Sequence, residues 1–342
     1  MESRLKELEI SVINKVKELD FSGVVFFQNN QGPVIATASG YSNRSEEILN
    51  VVNTRFGIAS GCKLFTAIGI CQLVEKEKLT FESKLADLLD HKFPHFHPDI
   101  TIHQLLTHTS GIPDYFDEDI MDDFEELWVE KPMYKMTNLE SFLPFFQHLP
   151  MKYEPGEKFH YNNAGYILLG LIIEKVAEVP FSQYVEENVF SPAQMVDSGY
   201  FSLDRLPAKT AIGYVDEENG SWRTNQYSIP VKGGSDGGAY ITAPDMCKLW
   251  DALNAGKLVS LEMVEKMKTD WVHVEDDQEF YGYGLWIEKD TNQVVTKYHV
   301  MGYDPGVSFA SGYYPQSNSV VVIPSNQESG PHKLMFEIEK HM

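Results

Sequence analysis

The sequence predicts an α/β (α+β) fold: an antiparallel β-sheet flanked by helices, with an all-helical lobe inserted into it. Three observations carry this. Hairpin-type strand patterns stand toward both ends of the chain, helical patterns dominate between them, and no repeat period or low-complexity tract interrupts the 342 residues. The sheet lobe is expected over 1–79 and 200–342 and the mostly helical lobe over 80–199, with a cleft between them.

The elements follow in order. MESRLKELEISVINKVKELDF places Leu5, Leu8, Val12, Val16 and Leu19 at helical spacing, which makes an amphipathic surface helix. Charged residues interrupt it every two or three positions, so it lacks the apolar core of a signal peptide. SGVVFFQNNQGPVIATASGY reads as two strands, Val24 to Phe27 and Val34 to Ala38, joined by a polar turn at Asn29 to Gly32. FGIASGCKLFTAIGICQLVEKEKL then passes from an extended stretch into a helix, with Leu64, Ile68 and Cys71 at helical spacing and Ser60 at its start. From about Thr80 to Met195, helical patterns such as ITIHQLLTHTSG and AGYILLGLIIEKVAEV are broken by turns at PDYF and YEPGEKF. Past Gly199 come short strands rich in aromatic residues and glycine: GYVDEENGSW, VKGGSDGGAYIT, YGYGLWI, KYHVMGYDPGVSFASGYYP and NSVVVIP. Helices are expected at APDMCKLWDALNAG and from Lys333 to Lys340.

Composition excludes several classes. A hydrophobic content of 43% supplies a core and rules out disorder as the dominant state. Fifty acidic residues against 28 basic ones give a charge of −22 with no basic block, which opposes a nucleic-acid partner. The three cysteines, Cys62, Cys71 and Cys247, are too few for a disulfide scaffold. Cys62 and Cys71, nine residues apart on one helix, stand roughly 13 Å apart and cannot pair. No uncharged apolar run reaches about 18 residues, so no membrane span is expected. The chain as it stands reads as cytoplasmic, although one trimmed of an export signal would read the same.

Two short patterns carry chemistry. Ser60-Gly61-Cys62-Lys63 is an S-x-x-K at a helix start, where residues three apart share a face and the lysine can take the serine proton. The same pattern occurs at Ser3-Arg4-Leu5-Lys6, and Ser60 also reads as an ordinary helix N-cap. Tyr161-Asn162-Asn163 stands at a second loop-to-helix junction. A tyrosine beside a lysine ammonium is easier to deprotonate, so Tyr161 can serve as general base and then acid, while Asn163 holds Lys63 and donates to a substrate carbonyl. The alternative is that Asn162 or Asn163 caps the helix and Tyr161 packs on its flank.

These motifs stand about one hundred residues apart, within ITIHQLLTHTSGIPDY, PGEKFHYNNAGYILLG, GGAYITAPDMCKLWDAL and YGYGLW. In this the sequence resembles the serine β-lactamase and penicillin-binding-protein superfamily, in the branch of class C β-lactamases, D-alanyl-D-alanine carboxypeptidases, D-aminopeptidases and related esterases. The likeness runs from about Gly23 to Pro324. It implies a β-lactamase/transpeptidase-like fold with Ser60 as acylated nucleophile, Lys63 as its activating partner, Tyr161 as general base and Asn163 as substrate-orienting amide. It implies an oxyanion hole made by the backbone N–H groups of Ser60 and of Tyr303, just past Gly302. The implied substrate is a small molecule or peptide (a β-lactam, a cell-wall peptide or an ester), with no metal and no cofactor.

The third motif departs from the family. Relatives carry Lys-Thr-Gly or His-x-Gly followed by Pro-Gly, whereas this chain reads Lys297-Tyr298-His299-Val300-Met301-Gly302-Tyr303-Asp304-Pro305-Gly306. Val300 therefore occupies the place of the cation, with His299 one residue early. In a regular strand His299 points away from the site, and a bulge would turn it inward as a substrate-binding group. The missing cation normally holds the carboxylate of a β-lactam or D-Ala-D-Ala terminus, a contact worth about 1.5–3 kcal/mol. Acylation is thus better supported than efficient β-lactam hydrolysis, and peptide hydrolysis, esterase action or a catalytically weak muropeptide-binding role stay open. His91, His95, His97, His103 and His108 crowd one stretch but read as structural rather than metal-binding. The acidic segment Asp114 to Trp128 reads as a solvated border of the cleft, a lid that shapes substrate choice.

Overall fold

The computed structural model describes residues 2–274 and 278–342. Its frame is an eight-stranded antiparallel sheet. The strands are β1 (Gly23–Asn29), β2 (Gly32–Ser39), β5 (Val272–His273), β6 (Glu279–Tyr281), β7 (Trp286–Lys289), β8 (Val295–Asp304), β9 (Val307–Tyr314) and β10 (Ser319–Ser325). They run in the order β2-β1-β10-β9-β8-β7-β6-β5. The expected assembly from both ends of the chain is present: β1 pairs with β10, Gly23 opposite Ser325 and Phe26 opposite Val322. Two further short strands, β3 (Phe56–Gly57) and β4 (Tyr240–Ile241), form a separate ladder. Residues 80–199 contribute no strand to the large sheet.

Central β10 is buried along its whole length, which explains its unbroken SVVVIP text: both faces are covered, so no polar alternation remains. One face packs on α1 (Glu2–Glu18) and α5 (Pro331–Glu339), where Leu8, Val12, Leu334 and Ile338 join Val25, Val321 and Ile323. Leu5, at the start of the α1 stripe, stays 41% exposed. The other face meets α2 (Lys63–Glu75) and α4 (Ala243–Asn254), and beyond α2 lies α3 (Asn163–Ala177). These helices share one core that includes Leu64, Ile68, Leu168, Ile172, Trp250 and Val322. Helix α2 is apolar nearly all round because it is enclosed, Lys63 included. Its cysteines are free and buried, as is Cys247.

The helical patterns of 80–199 fold into shorter pieces than the text suggests. Ile102–Leu106 is five residues long, and turns separate it from α3. VKGGSDGGAYIT yields only the two residues of β4; its glycines make a loop. No helix among the described residues is long and apolar enough to cross a membrane.

Candidate active site

Ser60 sits in a single 3-10 turn, Ala59–Cys62, that feeds into α2. The turn is pinned on both sides. The β3–β4 ladder leads into it, the Ile58 N–H donates to the Ala239 carbonyl (3.0 Å), and the Gly61 N–H donates back to the Ile58 carbonyl (2.9 Å). Ala59 takes a left-handed φ of +43°, costly for a residue with a Cβ and frequent where a reactive group must be presented. Strand β8 lies directly over the turn. A methyl group at Gly302 would stand 2.2 Å from the Ile58 carbonyl oxygen and 2.8 Å from the Ser60 nitrogen, so only glycine allows this approach. Ser60 itself makes no N-cap hydrogen bond, so the simple capping reading does not describe it.

Lys63, 2% exposed, is the hub. Its Nζ donates to Ser60 Oγ (2.9 Å), Asn163 Oδ1 (2.7 Å) and the Asp236 carbonyl (2.9 Å), which uses all three ammonium protons. It also lies 4.8 Å from the centre of the Tyr161 ring. Of the two asparagines, Asn162 caps α3 by accepting the Gly165 N–H (2.7 Å), which frees Asn163 for Lys63. The Asn163 amide nitrogen faces Asp114 Oδ2 (3.2 Å) rather than the cleft, so its expected donation to substrate is already engaged.

The turn at THTSG explains why it accompanies the Tyr-Asn-Asn motif. The Gly156 N–H donates to the Thr109 carbonyl (2.7 Å), the His160 N–H to the His108 carbonyl (2.9 Å) and the Asn162 N–H to His108 Nδ1 (3.0 Å). The Asn162 side chain reaches the Ile112 carbonyl (2.9 Å). Residues 108–114 are thus the cradle that fixes 156–164.

The protonation of Tyr161 differs from expectation. Burial of its hydroxyl outweighs the favourable hydrogen bond with Ser60, and the carboxylates Glu118, Asp236 and Asp114 add to it, so the phenol titrates well above its ordinary range. A resting phenolate is therefore disfavoured, and Tyr161 stands as a neutral hydroxyl beside Ser60.

His299 is a correction. Strand β8 is regular from Tyr298 to Asp304 against β9, and the register irregularity against β7 falls at Glu288/Lys289, away from His299. No bulge re-aims the side chain. It lies buried on the α5 side of the sheet, against Trp286 (6.3 Å between ring centres) and near Glu288 (3.3 Å), and burial holds it neutral. Val300, two residues before Gly302 on the face that meets the Ser60 turn, is apolar and 3% exposed. Beyond His299, β8 has no β7 partner, so the edge from Val300 to Asp304 is open on that side. Tyr303 lines the cleft there, its ring stacked on His332 (5.7 Å).

Two groups of ligand-type side chains occur among the described residues: Asp117, Asp119 and His160, and Glu279, Glu288 and His299. A lysine already supplies positive charge to each, Lys152 to Asp117 and Lys297 to Glu288 (2.8 Å). In the histidine-rich stretch, His103 Nδ1 meets the Tyr283 hydroxyl (2.9 Å), while His108 is buried among aromatic rings, including Tyr161 at 4.5 Å.

The cleft encloses about 420 Å³ and is lined by Ser60, Asn163 and Tyr303. The segment after Asp114 borders it, through Phe116, Glu118 and Phe124. Sequence reasoning missed three carboxylates. Asp114 accepts N–H groups from Tyr115 (2.7 Å), Asn163 (2.7 Å) and Ala164 (2.8 Å), yet burial raises it to about 7. Asp236 accepts the Tyr115 hydroxyl and presents its carbonyl to Lys63. Asp304 follows Tyr303 and is raised to about 7 by burial and the charge of Asp236. The one local signal was the glycine pairs around Asp236, which mark close backbone approach: a methyl group at Gly233 would lie 2.4 Å from the Gly238 carbonyl oxygen.

The fold is that of a known class. Residues 12–338 match the family model described as Beta-lactamase, and the chain belongs to that family, within the serine β-lactamase and penicillin-binding-protein superfamily. It is 29% identical over 326 residues to the putative penicillin-binding protein PbpX of Bacillus subtilis, covering 92% of this chain and 73% of that protein. The crystal structure of a penicillin binding protein from Bacillus halodurans superimposes with a TM-score of 0.93 at 55% identity, covering 97% of this chain and all of that one. A D-stereospecific amidohydrolase from Streptomyces sp. shares the fold at 20% identity, with a TM-score of 0.81 over 96% of this chain and 98% of that one.

Proposed function

We propose that this protein is a serine acyl hydrolase that works through a covalent acyl-enzyme on Ser60, with a D-Ala-D-Ala-type peptide or a β-lactam as the acyl donor. The observation that carries this reading is the Lys63 hub, one buried amine bonded to Ser60, Asn163 and the Asp236 carbonyl. Asn163 and Asp236 fix two of the amine's hydrogens, so the third position is the one that changes. When Lys63 is neutral, that position is a lone pair facing the Ser60 hydroxyl, and the hydroxyl donates to it. Ser60 Oγ then bonds to the acyl carbon while its proton passes to the Lys63–Tyr161 pair and on to the leaving nitrogen or oxygen, whose bond to the acyl carbon breaks. Water cleaves the ester by the reverse path, returning a proton to Ser60 Oγ and releasing a carboxylate. The N–H groups of Ser60 and Tyr303 hold the oxyanion, each worth about 10²–10³ in rate.

Val300 in the cation's place favours a second reading within the same chemistry: an esterase or D-aminopeptidase whose substrate needs no carboxylate contact. Intact-mass analysis after incubation with a fluorescent penicillin and with an activated ester tests the proposal. One acyl adduct is expected on the wild type and none on S60A. Absence of a Ser60-dependent adduct and of turnover with both reagents, alongside saturable muropeptide binding, would establish a non-catalytic binding protein instead.

A further inference from the structure

Resting on the acyl-enzyme reading above, we infer that three consecutive residues, Asp114, Tyr115 and Phe116, form a clamp that positions Lys63 through its two neighbouring acceptors and turns the Asn163 amide away from the substrate. The three follow Pro113 in the PDYF text, which reads as a turn at the start of a solvated border. In the fold Asp114 and Tyr115 are buried, and so are the two groups they hold, Asn163 and Asp236.

The Asn163 side chain is the first of those groups. An amide's oxygen and nitrogen ends have nearly the same shape, so packing does not choose between them and only hydrogen bonding does. Here both amide hydrogens have acceptors on the clamp, Asp114 Oδ2 (3.2 Å) and the Phe116 carbonyl (3.5 Å). The oxygen is thereby left for Lys63 (2.7 Å). Asp114 is itself held in place, because the same carboxylate accepts the backbone N–H groups of Asn163 (2.7 Å), Ala164 (2.8 Å) and Tyr115 (2.7 Å). With the amide reversed, its hydrogens would face the ammonium and one buried Lys63 proton would lose its acceptor.

Asp236 is the second group. The Tyr115 hydroxyl donates to its carboxylate while its own carbonyl accepts Lys63 (2.9 Å), so holding the side chain holds the carbonyl. The loop around it is closed by the Gly234 N–H on the Gly237 carbonyl (2.8 Å), which leaves the peptide little room to turn. Two of the three Lys63 contacts thus trace to adjacent residues of one segment, and the third is Ser60 itself. With both hydrogens engaged, Asn163 also has none to offer an amide carbonyl in the acyl chain of a substrate.

Matched p-nitrophenyl esters test this, one with an amide carbonyl in the acyl chain (N-acetylglycyl) and one of equal length without it (pentanoyl). In stopped-flow acylation, N163A and D114N are each expected to slow both esters by about 10–100-fold, by the same factor within about twofold, and to leave the dissociation constant of the preceding complex nearly unchanged. The double variant D114N/N163A is expected to stay within about threefold of N163A, because Asp114 acts through Asn163. A loss in N163A at least about tenfold greater for the N-acetylglycyl ester, or additive losses in the double variant, would overturn the inference. Crystal structures of the wild type, D114N and Y115F at about 1.2 Å or better, where amide hydrogens are visible, read the clamp without turnover. The Asn163 oxygen is expected on Lys63 in the wild type. In D114N the amide is expected to turn or to leave hydrogen-bond distance of Lys63, and in Y115F the Asp236 carbonyl is expected to leave it. D114N keeps the side chain's shape and removes a charge that burial opposes, so it is expected to fold, and Y115F removes only a hydroxyl. An amide nitrogen on Lys63 in the wild type, or unchanged Lys63 contacts in either variant, overturns the inference. No Ser60-dependent adduct in the wild type would overturn the hydrolase, and the structures would still decide the clamp.

Discussion

At the scale of single residues, the site depends on how burial sets protonation. Asp114 and Asp304 titrate near 7 in the fold against an ordinary value near 3.8. As pH rises from about 4 to about 7 the unfolded chain gives up these two protons before the native state does, so the native state binds more protons and stability falls across that window. The melting temperature is expected to be higher at pH 5 than at pH 8. D304N, which removes one buried charge, should raise the pH 8 value by a few degrees and flatten the slope between the two, both readable by calorimetry. Tyr161 lies at the other extreme: burial keeps it a neutral hydroxyl, and on the proposed mechanism it would relay protons without storing negative charge. Y161F should therefore lower the acylation rate by about 10²–10⁴ in stopped-flow measurements with an activated ester. Its circular dichroism is expected to stay native, because the ring contacts with Lys63 and His108 survive.

At the scale of elements, the turn, the strand above it and the loop beside it act as one unit. Replacing Gly302 by Ala forces β8 and the Ser60 turn apart, since the added methyl would meet backbone on both sides of Ala59. On the proposed mechanism, G302A is expected to lose at least about a hundredfold in kcat/KM by displacing the oxyanion donors, with the reporter ester as the measurement. This unit also shows what the sequence could disclose. The hairpin β1–β2, the run of strands β8–β10 and the enclosed helix α2 were legible, because each has a periodicity or an unbroken apolar run that survives in one dimension. For His299, strand alternation offered only the outward direction as one of two readings; the absence of a bulge, which the sequence does not show, settled it. Asp114, Asp236 and Asp304 were not, because an aspartate in a loop or at a strand end reads as solvated unless its neighbours in space are known. The helical text of 80–199 likewise overstated helix length, since a short turn such as Ile102–Leu106 gains its stability from packing rather than from propensity.

At the scale of the whole molecule, charge and closure matter most. With a net charge of −22, diffusion of an anionic substrate toward the cleft is opposed at low ionic strength. Raising salt from about 20 to 300 mM should increase kcat/KM severalfold for carboxylate-bearing nitrocefin and leave a neutral p-nitrophenyl ester nearly unchanged. The α1–α5 layer is the second lever. Leu8, 3% exposed between α5 and the sheet, should cost about 2–4 kcal/mol when cut to Ala, measured by urea unfolding, although it is remote from Ser60. That layer covers the seam where β1 meets β10, a pairing that joins Gly23 to Ser325. During synthesis the β1–β2 hairpin is made early, but the strand that covers its free edge emerges some three hundred residues later. Until then the apolar stretch Val24–Phe27 has an unpaired edge, the feature through which nascent strands associate with one another. The chain must therefore hold a sticky edge open while some three hundred further residues are made, and its folding is expected to be slow and to rely on chaperones, however stable the finished sheet.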